Sequence, residues 1–236
     1  MAAFNGEKYI RQQIISILSQ LGPTDELIIS DNGSTDDTLN IINEFCDARI
    51  NFLICAASGV INNFEFCLNH AKGDFIFLAD QDDIWAPLKV QTTMSLLERA
   101  NLVVSDAYIV DQDLLDTGAS VFGLRGSRRG LVYNIYRNSF MGCCMAFDRK
   151  VLNLCLPFPK SISMHDQWIG LVTETYGLDI EFCEDKLIYY RRHLGNQTGL
   201  HSDTSLTTQL KWRYDMCCAL FWKRWMFYEL PSRKKK

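Results

Sequence analysis

The sequence predicts an α/β protein with a Rossmann-like, mainly parallel central sheet, helices on both faces and a helical segment at its C-terminal end. Three observations carry that prediction. Apolar positions at helical spacing alternate with short apolar runs along the first hundred or so residues. Acidic clusters stand just past two of those runs, where parallel sheets bind ligands. A 236-residue chain that is 47% hydrophobic and 22% charged can also bury the core of one domain.

From Glu7, the residues Ile10, Ile14, Ile17, Leu18 and Leu21 recur at helical spacing until Gly22-Pro23 stops the helix. Residues 27–30 read as a short buried strand. Ser34, with Asp37 three residues later, opens a second helix carrying Leu39, Ile42 and Phe45 on its inner side, and residues 50–54 form the next strand. Ile61, Phe64, Leu68 and Ala71 give a third helix that ends at Gly73. The continuous apolar run Phe75-Ile76-Phe77-Leu78-Ala79 then reads as a central parallel strand. A helix over residues 88–100 precedes a strand at 102–104. Past Asp106 the pattern loosens, with Gly118, Gly123, Gly126 and Gly130 marking loops and residues 140–147 another apolar strand. The chain therefore divides into a first half at 1–105, a second half of the same domain at 106–200, and a C-terminal segment at 201–236.

In that last segment, residues 206–228 read as a helix mixing Trp212, Leu220, Phe221, Trp222, Trp225 and Phe227 with Lys211, Arg213, Lys223 and Arg224. Such a helix rests on a membrane surface, packs on its own domain or contacts another subunit, and the sequence leaves these open. The basic run at 233–236 suits a surface contact or a solvated tail.

Composition removes several functions. A net charge of −4 gives no reason to expect nucleic acid as a partner. Nine cysteines, an odd number without C-x-x-C spacing, argue for reduced thiols in a cytosolic setting and against a zinc site. With no signal-peptide pattern and no run of about 18 apolar residues, the protein is expected to stay on the cytosolic side. No G-x-G-x-x-G follows a strand, which excludes a dinucleotide oxidoreductase. No glycine-rich basic loop follows the first strand, which excludes a sugar-phosphate nucleotidyltransferase.

The acidic clusters carry the chemistry. Asp80-Gln81-Asp82-Asp83 gathers three carboxylates in four residues, and their repulsion calls for a cation or a set of donors. Mn²⁺ or Mg²⁺ takes carboxylate oxygens and leaves positions open for phosphate, so a D-x-D at a strand end suits a diphosphate-bearing substrate. Asp31, after the earlier strand, marks the same edge, although a carboxylate there also suits capping of the following helix.

Phe4-Asn5-Gly6, Asp31-Asn32-Gly33-Ser34-Thr35-Asp36 and Ala79-Asp80-Gln81-Asp82-Asp83-Ile84-Trp85 together resemble family-2 glycosyltransferases of the GT-A fold, in the family's order and spacing. Gly142-Cys143-Cys144-Met145-Ala146-Phe147 resembles the family's acceptor-side strand. Met164-His165-Asp166-Gln167-Trp168 resembles its catalytic-base segment, and Arg191-Arg192-His193 through Asn196 its closing motif. The Asp-Gln-Asp-Asp-Ile-Trp form and the Arg-His-x-x-Asn ending look most like bacterial rhamnosyltransferase-type enzymes of surface polysaccharide assembly. Against the family pattern, the first strand looks truncated, with only Met1-Ala2-Ala3 before Phe4.

The resemblance implies an inverting transferase that moves a sugar, rhamnose among the candidates, from a UDP, dTDP or GDP donor to a saccharide or lipid-linked saccharide. Residues 1–105 would bind the donor and 106–200 the acceptor, in the cytoplasm, with peripheral contact at the inner face of the cell membrane one reading of the C-terminal helix. Phe4, Asn5 and Asp31 would line the base pocket, and Asp80 would meet the ribose or the metal shell. Asp82 and His193 would hold Mn²⁺ or Mg²⁺. Asp83, Arg191 and Arg192 would face the diphosphate or sugar, although solvated charge at a strand end is the plainer reading of that basic pair. Asp166 would be the general base, in a segment that otherwise suits an ordinary loop. The competing reading is a catalytically weak nucleotide-sugar-binding or scaffold subunit of an assembly complex.

Overall fold

A computed structural model describes residues 1–193 and 205–228. The chain runs β1 (Ala2–Ala3), α1 (Ile10–Leu18), β2 (Leu27–Asp31), α2 (Thr38–Asn43), β3 (Ile50–Ile54), α3 (Val60–His70), β4 (Phe75–Phe77), β5 (Ile84–Trp85), α4 (Lys89–Leu97) and β6 (Leu102–Val110). It continues through β7 (Asp116–Ser120), α5 (Val121–Arg125), α6 (Leu131–Tyr136), a 3-10 turn (Gly142–Cys144), β8 (Met145–Asp148), α7 (Arg149–Cys155), α8 (His165–Thr175), β9 (Ile180–Arg191) and α9 (Leu206–Tyr228).

Strands β1, β2 and β3 form a parallel sheet in that order, with Ala2 opposite Ser30 and Leu27 opposite Ile50. Side chains alternate across it. Ala3 and Ile29 join Ile10, Ile14 and Ile17 of α1 and Ile41 and Ile42 of α2 in one apolar cluster. On the other face, Ser30 Oγ donates to Asn63 Oδ1 of α3 at 2.6 Å, and Asn63 Nδ2 donates to the Ser30 and Ala3 carbonyls. One buried amide thus ties β1, β2 and α3 together. The inner face of α2 differs from expectation, because the helix starts only at Thr38 and so buries Ile41 beside Ile42 while Leu39 and Phe45 stay half-buried.

The second sheet has the order β4-β8-β6-β9-β5, with β7 on β6. It is mixed: β6 and β9 run parallel, while β4–β8, β6–β8, β6–β7 and β5–β9 are antiparallel. The parallel arrangement read from sequence therefore holds for β1–β3 and is corrected for β4, which pairs antiparallel with β8 (Phe75 opposite Asp148). A continuous apolar run reports burial on both faces and is silent about the direction of its neighbours. A single parallel bridge, Ala2 to Asp80, joins the two sheets. The strand expected over residues 140–147 begins at Met145, because Gly142–Cys144 coils into the 3-10 turn.

Gly170 of α8 lies against the buried ring of Phe140, and a Cβ there would sit 2.3 Å from ring carbons. Gly170→Ala is expected to destabilise the fold by about 1–3 kcal/mol through overpacking. Urea unfolding checks this, and an unchanged midpoint would show that the Phe140 segment yields freely. No described helix is long and apolar enough to cross a membrane.

Candidate active site

The loops that leave β1, β2 and β4 meet at one edge, and hydrogen bonds between them build its floor. Asp31, at the end of β2, is buried and accepts from Gly33 N at 2.8 Å, Ser34 N at 2.9 Å and Ser34 Oγ. It organises its own turn and does not cap α2, which begins seven residues later. Ser34 Oγ accepts from Asn5 N at 2.8 Å, and Asn5 Oδ1 accepts from Thr35 N at 2.8 Å. Asn5 takes a positive φ of 48°, a conformation that asparagine tolerates better than most residues.

Gln81, the middle residue of Asp80-Gln81-Asp82, carries no signal of its own in the sequence. Its side-chain amide reads the Phe4 backbone from both ends, accepting from Phe4 N and donating to Phe4 O, each at 2.8 Å. A Cβ on Gly6 would lie 2.3 Å from Gln81 Oε1, so glycine is what allows this approach. Phe4 itself leaves its ring half in solvent beside the pocket loops.

The acidic cluster spreads over two depths. Asp83 is fully buried; its Oδ1 accepts from Arg191 N at 3.2 Å and its Oδ2 has no hydrogen-bond partner. Burial, with Asp82 and Asp80 alongside, pushes its carboxyl well above the usual range. Burial followed by the charges of Asp82 and Asp166 raises Asp80 to about 7. Asp82 Oδ2 lies 2.9 Å from His193 Nε2, a meeting of residues 111 positions apart. Lys89, completely buried in the first turn of α4, donates to the Cys143 carbonyl at 3.3 Å and stacks over Trp85 at 5.3 Å. Burial pulls its ammonium down, opposed in part by Asp83 and neighbouring cysteines.

Asp80, Asp83 and Cys143 bring their ligand atoms within 4.8 Å of one another. A hydrogen bond with Cys144 and burial push the Cys143 thiol up, so it stays protonated and is no donor to a hard cation. The two carboxylates that remain of that group, one with an orphaned oxygen, are the hard oxygen donors that Mn²⁺ or Mg²⁺ takes, and the Asp82–His193 pair adds a third carboxylate and an imidazole next to them in the chain.

Arg191 and Arg192 part ways. Arg191 is buried: its Nε donates to the Asp82 carbonyl at 2.9 Å, Nη1 to the Gln112 carbonyl and Nη2 to Gln12 Oε1, both at 2.7 Å. Its guanidinium covers the Tyr9 ring at 4.5 Å, and the His193 ring meets Tyr9 at 4.7 Å. Arg191, one of the residues expected to face the diphosphate or sugar, fixes the Asp82 backbone with one of these bonds. Arg192 keeps a buried Nη1 with no hydrogen-bond partner. Asn196, the end of the closing motif, lies outside the described residues.

Asp166 stands in the first turn of α8, where the helix N-terminus favours negative charge. Its Oδ2 accepts from Gly142 N at 3.2 Å and its Oδ1 from Gln167 N at 2.6 Å. His165 beside it stacks on Phe64 at 3.9 Å, and burial lowers it towards the neutral form, with both ring nitrogens unpartnered.

The sequence profile of Glycosyl transferase family 2 matches residues 1–155 of this chain. The chain belongs to that family. Within glycosyltransferase family 2, it is 30% identical over 156 residues to the Escherichia coli UDP-Glc:alpha-D-GlcNAc-diphosphoundecaprenol beta-1,3-glucosyltransferase WfgD, covering 65% of this chain and 60% of that protein. It is 28% identical over 218 residues to the Shigella flexneri dTDP-rhamnosyl transferase RfbG, covering 84% and 73%. The chain thus spans about three fifths of the first of these relatives. Among solved structures it superposes on S. aureus TarS 1-349 in complex with UDP-GlcNAc with a TM-score of 0.72 at 17% identity, over 99% of this chain and 66% of that one. Glucosyl-3-phosphoglycerate synthase from Mycobacterium tuberculosis, in complex with Mn²⁺, UDP and phosphoglyceric acid, gives 0.59 at 21% identity over 94% and 76%. These likenesses establish the GT-A fold.

Proposed function

We propose that this chain is an inverting, metal-dependent transferase that moves a sugar from a nucleoside-diphosphate donor to a saccharide or lipid-linked saccharide acceptor in surface polysaccharide assembly. What supports the reading most is the acid cluster itself, in which Asp83 Oδ2 is buried without a hydrogen-bond partner beside the Asp82–His193 pair. Relatives named for a glucosyl and for a rhamnosyl donor bracket the sugar, so UDP, dTDP and GDP donors all belong in the test.

Residues 1–105 serve the donor: Phe4, Asn5 and Asp31 line the base pocket and Asp80 faces the ribose or the metal shell. Asp82 and His193 would hold Mn²⁺ or Mg²⁺, and Asp83, with Oδ1 held by Arg191 N, would turn its unpartnered Oδ2 toward the diphosphate or sugar. The cation supplies neutralisation of charge on the departing diphosphate. Arg192 brings its unpartnered Nη1 to the phosphates, while Arg191 keeps Asp82 in place. Residues 106–200 serve the acceptor. Its oxygen bonds to the anomeric carbon as its proton passes to Asp166, the sugar–diphosphate bond breaks, and the configuration inverts.

A thermal-shift series with UDP, GDP and dTDP, each with and without Mn²⁺, tests the donor site. One nucleotide is expected to raise Tm by several degrees only when Mn²⁺ is present, and Asp82→Asn to abolish the rise. An equal rise in the variant would overturn the metal assignment. Binding without release of nucleotide from any donor, given an acceptor, would make the chain a binding subunit. Peripheral contact of α9 with the inner face of the membrane belongs to the same reading.

A further inference from the structure

Helix α9 is apolar on two sides. Met216, Ala219 and Leu220 are buried on its inner side, where it packs against α8, while Leu210, Tyr214, Phe221, Trp222 and Trp225 stand exposed on the opposite side. Phe221, Trp222 and Trp225 gather their rings 6.0–6.5 Å apart with no other described element over them, Phe221 and Trp222 more than 60% exposed. A patch of this kind marks an interaction surface.

It does not stand alone. The first turns of α9 meet α6, where Arg213 covers the Tyr136 ring at 4.5 Å and donates to the Tyr136 carbonyl. There α6 adds exposed Val132 and Tyr136, and α5 adds exposed Leu124. Residues 117–147 contain four arginines, Arg125, Arg128, Arg129 and Arg137, and no acid, in a chain of net charge −4. Helix α9 adds Lys211, Arg213 and Arg224 against a single Asp215, while Lys223 is buried on its inner side and donates to the Leu156 carbonyl at 2.7 Å. Cations are therefore in excess along the segments that expose the aromatic side chains, with Glu174 and Asp179 the acids that line a cavity together with Arg129.

We propose that α5, α6 and the outer side of α9 form one surface that seats on an anionic lipid bilayer. Aromatic rings flanked by arginine and lysine suit the headgroup boundary, and the excess of cations supplies the attraction to acidic lipids. The central strip of a protein–protein contact is instead depleted of charge. The placement serves the proposed chemistry: α6 packs on α8 through Gln167 Nε2 donating to the Asn134 carbonyl at 2.9 Å, one residue from Asp166. A lipid-linked acceptor held at this surface lies on the side of the base. The inference deepens the lipid-linked reading of the acceptor, yet bilayer binding requires no turnover.

Co-sedimentation of the full chain with phosphatidylcholine vesicles, with or without about 30 mol% phosphatidylglycerol, tests it. Binding is expected only with the anionic lipid and is expected to weaken in about 0.5 M salt. The pairs Phe221→Ser/Trp225→Ser and Arg128→Glu/Arg129→Glu should each lower partitioning on the order of tenfold or more, with circular dichroism and the nucleotide-induced Tm shift unchanged. No partitioning, or variants that partition as well as wild type, would overturn the proposal. So would a concentration-dependent dimer that Phe221→Ser/Trp225→Ser dissolves and vesicles do not bind, which would make this a subunit contact. Wild-type protein that binds anionic vesicles but no nucleotide would refute the transferase reading and leave this surface standing.

Discussion

Asp166→Asn is expected to lower the rate of sugar transfer by about two to four orders of magnitude while leaving donor binding intact, the range associated with loss of a general base. The side chain lies in the first turn of α8 and is oriented by Gly142 N and Gln167 N. Asparagine keeps the shape and one of the two acceptor oxygens but cannot take a proton. Its effect should fall on kcat, with KM for the donor and the Mn²⁺-dependent Tm shift close to wild type. Loss of nucleotide binding in the variant would place Asp166 in the donor pocket. Retention of full activity would move the base elsewhere, with neighbouring His165, neutral and unpartnered, the next residue to test.

The metal-free protein is expected to lose on the order of 3 kcal/mol of stability as pH rises from about 4 to 7, from the raised carboxyl of Asp80 alone. The ordinary value of that group is 3.8, and burial with the nearby Asp82 and Asp166 charges lifts it to about 7 in the fold. Between these values the unfolded chain has released the proton while the folded chain retains it, so stability falls with rising pH and levels off above 7. Asp83, raised further by burial, acts in the same direction. His165 acts against them, since its neutral burial penalises the fold below its ordinary value of 6.5. Asp47, held near 2 by hydrogen bonds from Arg49, titrates below the window. Urea unfolding in a chelator at a series of pH values isolates the Asp80 contribution by comparison with Asp80→Asn. The variant should be flatter and more stable at pH 7.5, although defective with donor and metal. A variant slope identical to wild type would show that Asp80 is not the group responsible.

Both expectations start from residues legible in the sequence. The strand at 50–54 and the helix at 206–228 have the bounds read from periodicity, because each presents its apolar pattern locally. The Asp31 and Asp80 to Asp83 clusters stood out because acids directly after buried strands are costly without a partner. Strand β9 gave no such signal: its middle carries Glu184, Asp185 and Lys186, and only pairing with β6 and β5 makes a strand of it. Arg191, at its end, carried the right charge for phosphate, and nothing local announced that Asp82, Gln112 and Gln12 would surround it. Gln81 and the buried Lys89 were equally silent.

The sequence by itself determined which segments are helix and strand over about the first hundred residues and in the C-terminal helix, where carboxylates would gather, and the family to which the motifs point. Each of these is a property of neighbours along the chain, written in spacing and in charge density. Tertiary structure alone decided that β4 runs antiparallel to β8, that His193 reaches Asp82 across 111 residues, and that Arg191 supports the site from behind. It also brought α6 against the first turns of α9, where Arg213 meets Tyr136. Strand direction, ion pairing and shared surfaces arise between segments distant in sequence, and they are settled by which packing buries the most apolar area while leaving the fewest polar groups without partners.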